Sequence, residues 1–479
     1  MTLMVILWIL QNKTVEAGPI DGKTTVHQKE RPNFLIFIAD DHGRGDLGAY
    51  GNPTIRTPNM DRLANEGLCF DQAFLSISSC SPSRCSILTG RYPHNTQAED
   101  LHMPLPAHQQ SVASYLKPAG YACVSVGKWH LGKAEKKHWE KVVECQAEVM
   151  AQECLKVIEN RDRDKPFFYW FASIDPHRGY QAGASTPPHD PDKVRVPSYL
   201  PDHPKIRKEL ALYYDEIARF DRHIGQIRGA LEAQGAWDNT IVVYLSDNGM
   251  PFPRAKTTLY DSGIQTPLIM RWSNTIPAGK RTEALVSSID LMPTLLECAG
   301  IQSTSMQGNS FVNLLENPDD THRSFIFSEA NWHDFEHFSR AVRSKRFKLI
   351  RHYYWDTPLW NSVDSINSIT WQGMLEAREK DQLTPAQAFL FNPERPYEEF
   401  FVMQADPDEL TNQIKSDTWQ SEINQLRTVL DEWRIETRDH LPKQKRPDGW
   451  TRDGIPLPHN QPWYDRYIEQ GGKNSFEKF

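Results

Sequence analysis

At 479 residues the chain exceeds what one small hydrophobic core can organise, so one large domain with a smaller companion is expected. With 39% hydrophobic and 24% charged residues it has the balance of a globular protein, and a net charge of −8 excludes the broad basic field that nucleic acid requires. Seven cysteines in this length exclude a disulfide scaffold, and any anionic ligand must be met by a local cluster of cations.

Met1 to Leu10 is an apolar run too short to span a bilayer, and Val15-Glu16-Ala17 offers a small-residue cleavage site. Residues 1–17 therefore read as a signal peptide, with secretion or a periplasmic location as the consequence, and 18–31 as a polar linker. The sequon Asn12-Lys13-Thr14 falls inside this leader. Asn33 to Ala39 is a continuous apolar run of strand length, as in a strand covered on both faces, and it ends in Asp40-Asp41. Ser79 or Ser81 then suits a helix N-cap, Pro82 the first turn and Gly90 the C-terminal cap. Cys80 thus stands where backbone N–H groups and the positive helix end favour an anion.

The strand pattern recurs three more times. Tyr121 to Val126 runs into Gly127-Lys128-Trp129-His130, Phe167 to Ile174 into Asp175-Pro176-His177-Arg178, and Ile241 to Leu245 into Asp247-Asn248-Gly249. Helical patterns lie between, the clearest being Ile217, Phe220, Ile224, Ile227 and Leu231. Alternating strands and helices imply a largely parallel sheet sandwiched by helices, with ligands bound beyond the carboxyl ends of the strands. Past Pro318 the texture changes. Ala341 to Arg351 reads as an exposed strand, Phe400 to Met403 as another, and Trp419, Ile423, Leu426, Leu430 and Trp433 as one amphipathic helix. The tail from Leu441 to Phe479 reads as irregular. The boundaries expected are a catalytic domain over 32–320 and a C-terminal α+β subdomain with tail over 321–479. Cys69, Cys85, Cys123 and Cys298 read as buried thiols, and Cys145 and Cys154, placed in one helical stretch, as free.

Asp40, Asp41, Asp247 and Asn248 are all oxygen donors, suited to Ca²⁺ or Mg²⁺ rather than zinc. Three carboxylates brought together without a cation would repel strongly. Arg84, Lys128 and Lys256 are the available cations, and His130 and His177 the groups suited to proton transfer.

The string Ser79-Cys80-Ser81-Pro82-Ser83-Arg84, continuing through Leu88-Thr89-Gly90-Arg91, resembles the signature of the type I sulfatases. Thr57-Pro58-Asn59-Met60-Asp61-Arg62-Leu63, Asp290-Leu291-Met292-Pro293-Thr294, Arg340-Ala341-Val342-Arg343 and Asp406-Pro407-Asp408-Glu409 extend the likeness from Asn33 to about Asn412. The resemblance implies an alkaline-phosphatase-like α/β fold, its mixed, mostly parallel sheet accompanied by a C-terminal subdomain with an antiparallel sheet. It also implies that a maturation enzyme oxidises Cys80 to formylglycine (3-oxoalanine), whose hydrate attacks sulfur beside one Ca²⁺. In those terms Asp40, Asp41, Asp247, Asn248 and the residue at Cys80 hold the ion. Arg84 and Lys128 steady the formylglycine, and His130 takes its proton when sulfate is released. His177 protonates the leaving oxygen and Lys256 clamps the sulfate.

Asp175-Pro176-His177-Arg178 and Asp247-Asn248-Gly249-Met250-Pro251-Phe252-Pro253 look like the heparan N-sulfatase (sulfamidase) branch, which also contains bacterial polysaccharide sulfatases. Lys256 replaces the Arg usual in that branch, and Gly127-Lys128-Trp129-His130-Leu131-Gly132 is the string usual for O-sulfatases. These departures favour a carbohydrate O-sulfate ester, such as an ulvan or glycosaminoglycan fragment, cleaved from the chain end, with N-sulfoglucosamine as the alternative. His102, Asp175, Arg178, His333 and His337 are the residues expected to meet the sugar. Two rivals stay open: a hydrolase of phosphate diesters or phosphonates on the same architecture, and a saccharide-binding protein whose Cys80 is never matured.

Overall fold

The computed structural model describes residues 31–458, so the expected signal peptide and nearly all of the linker lie outside the described residues. Eight strands form the larger sheet: β1 (Asn33–Ala39), β2 (Leu68–Phe74), β3 (Ala122–Gly127), β4 (Lys141–Val143), β5 (Phe167–Ala172), β6 (Thr240–Ser246), β7 (Leu268–Arg271) and β8 (Lys280–Ser287). Their spatial order is β4-β3-β5-β1-β6-β7-β2-β8. Every neighbouring pair is parallel except those of β7, which runs antiparallel to both β6 and β2.

β1 lies at the centre, with Phe37 in register with Phe171 of β5 and Tyr244 of β6. Its seven residues are all buried, as the uninterrupted apolar run predicts. Alternate side chains serve opposite faces of the sheet. Phe34, Ile36 and Ile38 pack with Trp170, Leu88, Leu291 and Leu295, whereas Leu35 and Phe37 pack with Phe171, Phe220, Ile224 and Met150. The second face is covered by the helices Ala147–Glu159 and Pro204–Ala233, the latter carrying the period read from Ile217 to Leu231. Burying each such aromatic or aliphatic side chain contributes ~1.5–3 kcal/mol, so the sheet edges are held by a stiff core on both sides.

Four further strands, β9 (Ile326–Trp332), β10 (Glu336–Arg343), β11 (Phe347–His352) and β12 (Glu398–Val402), form a separate antiparallel sheet in the order β12-β11-β10-β9. The helix Gln420–Thr437 covers one face through Ile423, Leu426, Leu430 and Trp433, packed on Val342, Leu349 and Phe400. The other face contributes Ala341, Ile350 and Phe401 to a cluster shared with Tyr213, Phe252 and Tyr260. This corrects the expectation of one exposed strand over Ala341 to Arg351: the segment is a buried hairpin of β10 and β11. Its charges misled because they are buried in pairs. Arg340 binds Asp439 bidentately at 2.8 and 2.7 Å, and Arg343 and Lys348 converge on Asp261 at 3.0 and 2.9 Å. All seven cysteines are free, and Cys145 precedes its helix rather than lying in it.

Candidate active site

The strand ends β1, β3, β5 and β6 deliver their polar residues to one edge of the sheet. The turns after β1 and β3 have unusual backbone: Asp41 (φ 76°), Gly127 (φ 98°) and His130 (φ 53°) are left-handed, as are His102 (φ 66°) and Thr257 (φ 73°) nearby. Non-glycine residues in that region cost about 1–3 kcal/mol each and persist where surrounding bonds over-determine them. Here they do. Asp41 N–H donates to Asp247 Oδ1 at 3.1 Å, His102 N–H to Ser81 Oγ at 2.8 Å, and Thr257 N–H to the Ser78 carbonyl at 3.1 Å.

The helix Cys80–Thr89 begins at Ser79, whose backbone is extended, and closes at Gly90 in a left-handed cap (φ 59°). All ten of its residues are buried. Ser79 stands at the N-cap but makes no side-chain cap; its hydroxyl bonds His333 Nδ1 at 2.8 Å instead. The serines of this turn are therefore committed to holding histidines of the site.

Around Cys80 three carboxylates meet three cations. Lys128 Nζ donates to Asp40 Oδ2 at 2.5 Å, Lys256 Nζ to Asp41 Oδ2 at 2.7 Å, and Arg84 Nε to Asp247 Oδ2 at 2.7 Å. Arg84 Nη2 also lies 3.8 Å from Asp40 Oδ1. Asp40, Asp41, Asp247 and Arg84 are wholly enclosed, and charges without water must be neutralised by their neighbours. Burial opposes ionisation of Asp40, but Lys128, His177, Arg84 and Lys256 together hold it well below the usual carboxylate range. For Asp41 and Asp247 burial wins, reinforced by the neighbouring carboxylates, and each is pushed up to about 6. Burial likewise pushes the Cys80 thiol well above its ordinary value.

The donor set fits a hard divalent cation. Asp40 Oδ1 and Asn248 Oδ1 are buried without a hydrogen-bond donor. Asn248 Nδ2 reaches Asp41 Oδ1 at 2.9 Å, Asp247 Oδ1 at 3.0 Å and Cys80 Sγ at 3.3 Å, so one amide group stands among the acceptors that a cation would share. Ligand atoms of Asp40, Cys80 and Asp247 lie within 4.8 Å of one another, as do those of Asp41, Cys80 and His177. Buried oxygen donors without hydrogen-bond partners suit a hard cation.

The histidines divide by role. His177 Nδ1 faces the Arg178 carbonyl at 3.1 Å, an acceptor, so Nδ1 carries the proton and Nε2 faces Asp41 Oδ2 at 3.9 Å. Burial and the charges of Lys256 and Lys128 lower His177 to about 4. His130 Nε2 and His102 Nδ1 share a bond of 2.7 Å, with His102 lowered to about 4 by burial and then Lys128. His130, whose Nδ1 is buried without a partner, is held well below the ordinary range by burial and then Lys128.

Of the residues expected to meet the sugar, His102 and His333 face the cluster, whereas three are engaged otherwise. Asp175 pairs with both Arg219 nitrogens, Nε at 2.8 Å, while its carbonyl accepts the Asp40 N–H at 3.1 Å. Arg178 pairs with Glu209, donates to the Pro251 carbonyl at 2.6 Å and stacks on Phe252. His337 is enclosed against Arg395, which donates to its carbonyl at 3.1 Å. All three side chains have buried protein partners, which a bare sequence cannot reveal for an Asp, Arg or His. Sequence reasoning also missed Asp364, whose Oδ2 accepts from Lys256 Nζ at 3.3 Å. It lies on a single helical turn after β11, too short for a periodic pattern to mark it.

The family pattern described as sulfatase matches residues 32–301, and that of the N-sulphoglucosamine sulphohydrolase C-terminal region matches 254–376. An ulvan-active sulfatase of Formosa agariphila is 30% identical, over 86% of this chain and 76% of its own length. The human N-sulphoglucosamine sulphohydrolase is 29% identical, over 91% and 96%. The solved structure of BT4656 with its substrate D-glucosamine-2-N,6-O-disulfate shares the fold at a TM-score of 0.69 and 23% identity, covering 87% of this chain and all of that one. The match over 32–301 contains Cys80 and the four strand ends that surround it, and the chain accordingly belongs to the sulfatase family, as a sulfuric ester hydrolase of the alkaline-phosphatase-like fold.

Proposed function

We propose that this protein removes sulfate from a sulfated carbohydrate, acting on an O-sulfate ester at a chain end through formylglycine at position 80 and one Ca²⁺. The observation that carries the reading is the convergence of Arg84, Lys128 and Lys256 on three buried carboxylates around Cys80, at the start of a buried helix. The relatives named for ulvan and for N-sulphoglucosamine support a saccharide as the substrate class. His177, 32% exposed, stands with Asp364 and Lys128 at the mouth of a site whose carboxylates, Arg84 and Lys256 are enclosed beneath them, which suits a terminal sugar better than the middle of a chain.

Calcium held by Asp40, Asp41, Asp247 and Asn248, with the matured residue 80, would supply a charged oxygen nucleophile and positive charge for the sulfate oxygens. Lys256 and Lys128 bind the anion from two sides, in a water-poor site where such charge is most effective. His177 Nε2 delivers a proton to the leaving oxygen. Lys256 and Lys128 keep this histidine neutral at rest, and an arriving sulfate offsets them, raising its affinity for the proton at the moment it is needed. His130 is placed beside Lys128 to take a proton from residue 80, its ring oriented by His102. Export by the leader and oxidation of Cys80 by a maturation enzyme belong to the same proposal.

N-sulfoglucosamine is the second candidate, favoured by the match over 254–376, a span that includes Lys256 and Asp364. The test joins mass spectrometry of the Cys80 peptide to sulfate release from ulvan fragments, N-acetylglucosamine 6-sulfate and N-sulfoglucosamine. Release from an O-sulfated sugar by converted protein is expected. Converted protein that cleaves phosphonate esters and no sulfated sugar would sink the proposal.

A further inference from the structure

Asp364 sits on a short helical turn, Val363–Ile366, fastened at three points. Val363 N–H donates to Asp334 Oδ2 at 2.7 Å, Ser365 Oγ to the Pro251 carbonyl at 3.2 Å, and Val363 packs with Phe335 and Trp450. Its carboxylate is therefore placed by the framework. Oδ2 accepts from Lys256, whose shorter bond is to Asp41. Oδ1 is buried and has no donor in bonding geometry, the Ser362 hydroxyl favouring the charged form without completing a bond. Burial opposes that charge, but Lys256, His177 and Arg178 hold the group well below the usual range, so it is ionised at neutral pH.

The side chain is 21% exposed, beside His177 at 32%, whereas Lys256 is 2% exposed. Asp364 is thus an anion on the accessible rim of a site built to attract an anion. A carboxylate there weakens the attraction for sulfate unless it meets a donor that arrives with the substrate. With Oδ1 buried, the exposed part of the carboxylate includes Oδ2, whose long bond from Lys256 leaves a lone pair to offer that acceptor.

We propose that Asp364 determines sugar specificity: its Oδ2, held by Lys256 only at 3.3 Å, accepts a second hydrogen bond from a sugar hydroxyl next to the sulfated position, and its charge turns away saccharides with a second anionic group on that side. This rests on the carbohydrate reading above and assigns that site its selective residue. The competing role is that Asp364 only orients Lys256, and the two separate cleanly. Orientation of Lys256 matters to every sulfate ester, whereas a hydroxyl contact matters only to substrates with hydroxyls.

Fully converted wild type, Asp364→Asn and Asp364→Glu would be compared on three substrates. These are 4-nitrophenyl sulfate, the faster-cleaved of N-sulfoglucosamine and N-acetylglucosamine 6-sulfate, and glucosamine 2-N,6-O-disulfate. Both variants lose rate on all three, since Lys256 loses or shifts a partner. In Asp364→Asn, kcat/KM for the monosulfated sugar falls about 10-fold or more beyond the fall for the aryl sulfate, mainly through KM, as loss of a hydrogen bond to a charged group requires. The same variant narrows the preference for mono- over disulfated sugar several-fold, and Asp364→Glu, which keeps the charge, does not. Equal losses on sugar and aryl sulfate would overturn the assignment and leave the carbohydrate reading standing. A wild type that cleaves the aryl sulfate and no sugar would overturn both. Should the Asn variant not melt cooperatively, Asp364→Glu carries the KM comparison alone.

Discussion

Cys80 as encoded is a poor nucleophile, because its thiol is 2% exposed and burial holds it well above its ordinary value. Reactivity at this position therefore depends on conversion of the side chain. Cys80→Ala is expected to abolish sulfate release while moving the urea midpoint little, since one small buried atom is lost; collapse of cooperative unfolding would argue for a core role instead. Arg84 behaves in the opposite way. It is wholly buried between Asp247 and Asp40, and Arg84→Ala leaves those carboxylates uncompensated, so a loss of ~3–5 kcal/mol is expected from chemical denaturation. A midpoint within error of wild type would contradict the pairing. The proposed calcium ion would act on the same balance: at a hundredfold excess over its Kd it should add ~2.7 kcal/mol of stability, read as a fall in Tm on chelation. Residue type and strand-end position were enough to propose Asp40, Asp41, Asp247 and Lys128, whereas Lys256 was proposed from the family resemblance of the string it opens. Asp364 was not legible, because only the fold brings it to Lys256.

At the scale of elements, the site depends on strands that stop abruptly. β3 ends at Gly127, whose φ of 98° belongs to glycine, and a Cβ there would meet the Ala172 carbonyl oxygen at 1.9 Å. The Lys128 N–H bonds that same carbonyl at 2.8 Å, so the close approach of β3 and β5 sets where Lys128 begins. Gly127→Ala combines backbone strain with a clash against main chain. It should cost ~2–4 kcal/mol in unfolding free energy and lower kcat/KM at least about tenfold by displacing Lys128. Normal turnover with a normal Tm would show that this turn does not position the lysine. The four strands that end at the site were readable from continuous apolar runs, which buried parallel strands require. The hairpin of β10 and β11 was not, since Arg340, Arg343 and Lys348 look solvent-facing until Asp439 and Asp261 are placed against them.

Across the whole molecule, buried ionisable groups set an unusual pH dependence. Burial pushes Asp46, Asp334 and Glu409 up to about 7 and Glu216 up to about 8. It lowers His42, His177 and His223 to about 4. A raised carboxyl binds its proton in the folded chain after the unfolded chain has released it, so stability falls as pH rises from about 4 toward its folded value. A depressed histidine does the reverse, its contribution rising from about 4 to 6.5. The two classes oppose each other below 6.5; above it the raised carboxyls still titrate, as does His94, whose charge burial opposes and Glu329 favours. Stability of the calcium-free protein should therefore decline between pH 6.5 and 8, measured as the urea midpoint; a rise over that interval would refute the balance. The sequence by itself determined the strand-and-helix alternation, the cysteine-bearing helix and the chemistry offered at each strand end, because periodicity and residue type are local properties. Only the tertiary structure decided that Asp175 pairs with Arg219 and Arg178 with Glu209, that His333 reaches Ser79 and that Asp364 faces Lys256. Those outcomes depend on which charges become neighbours once water is excluded, and no local pattern encodes that.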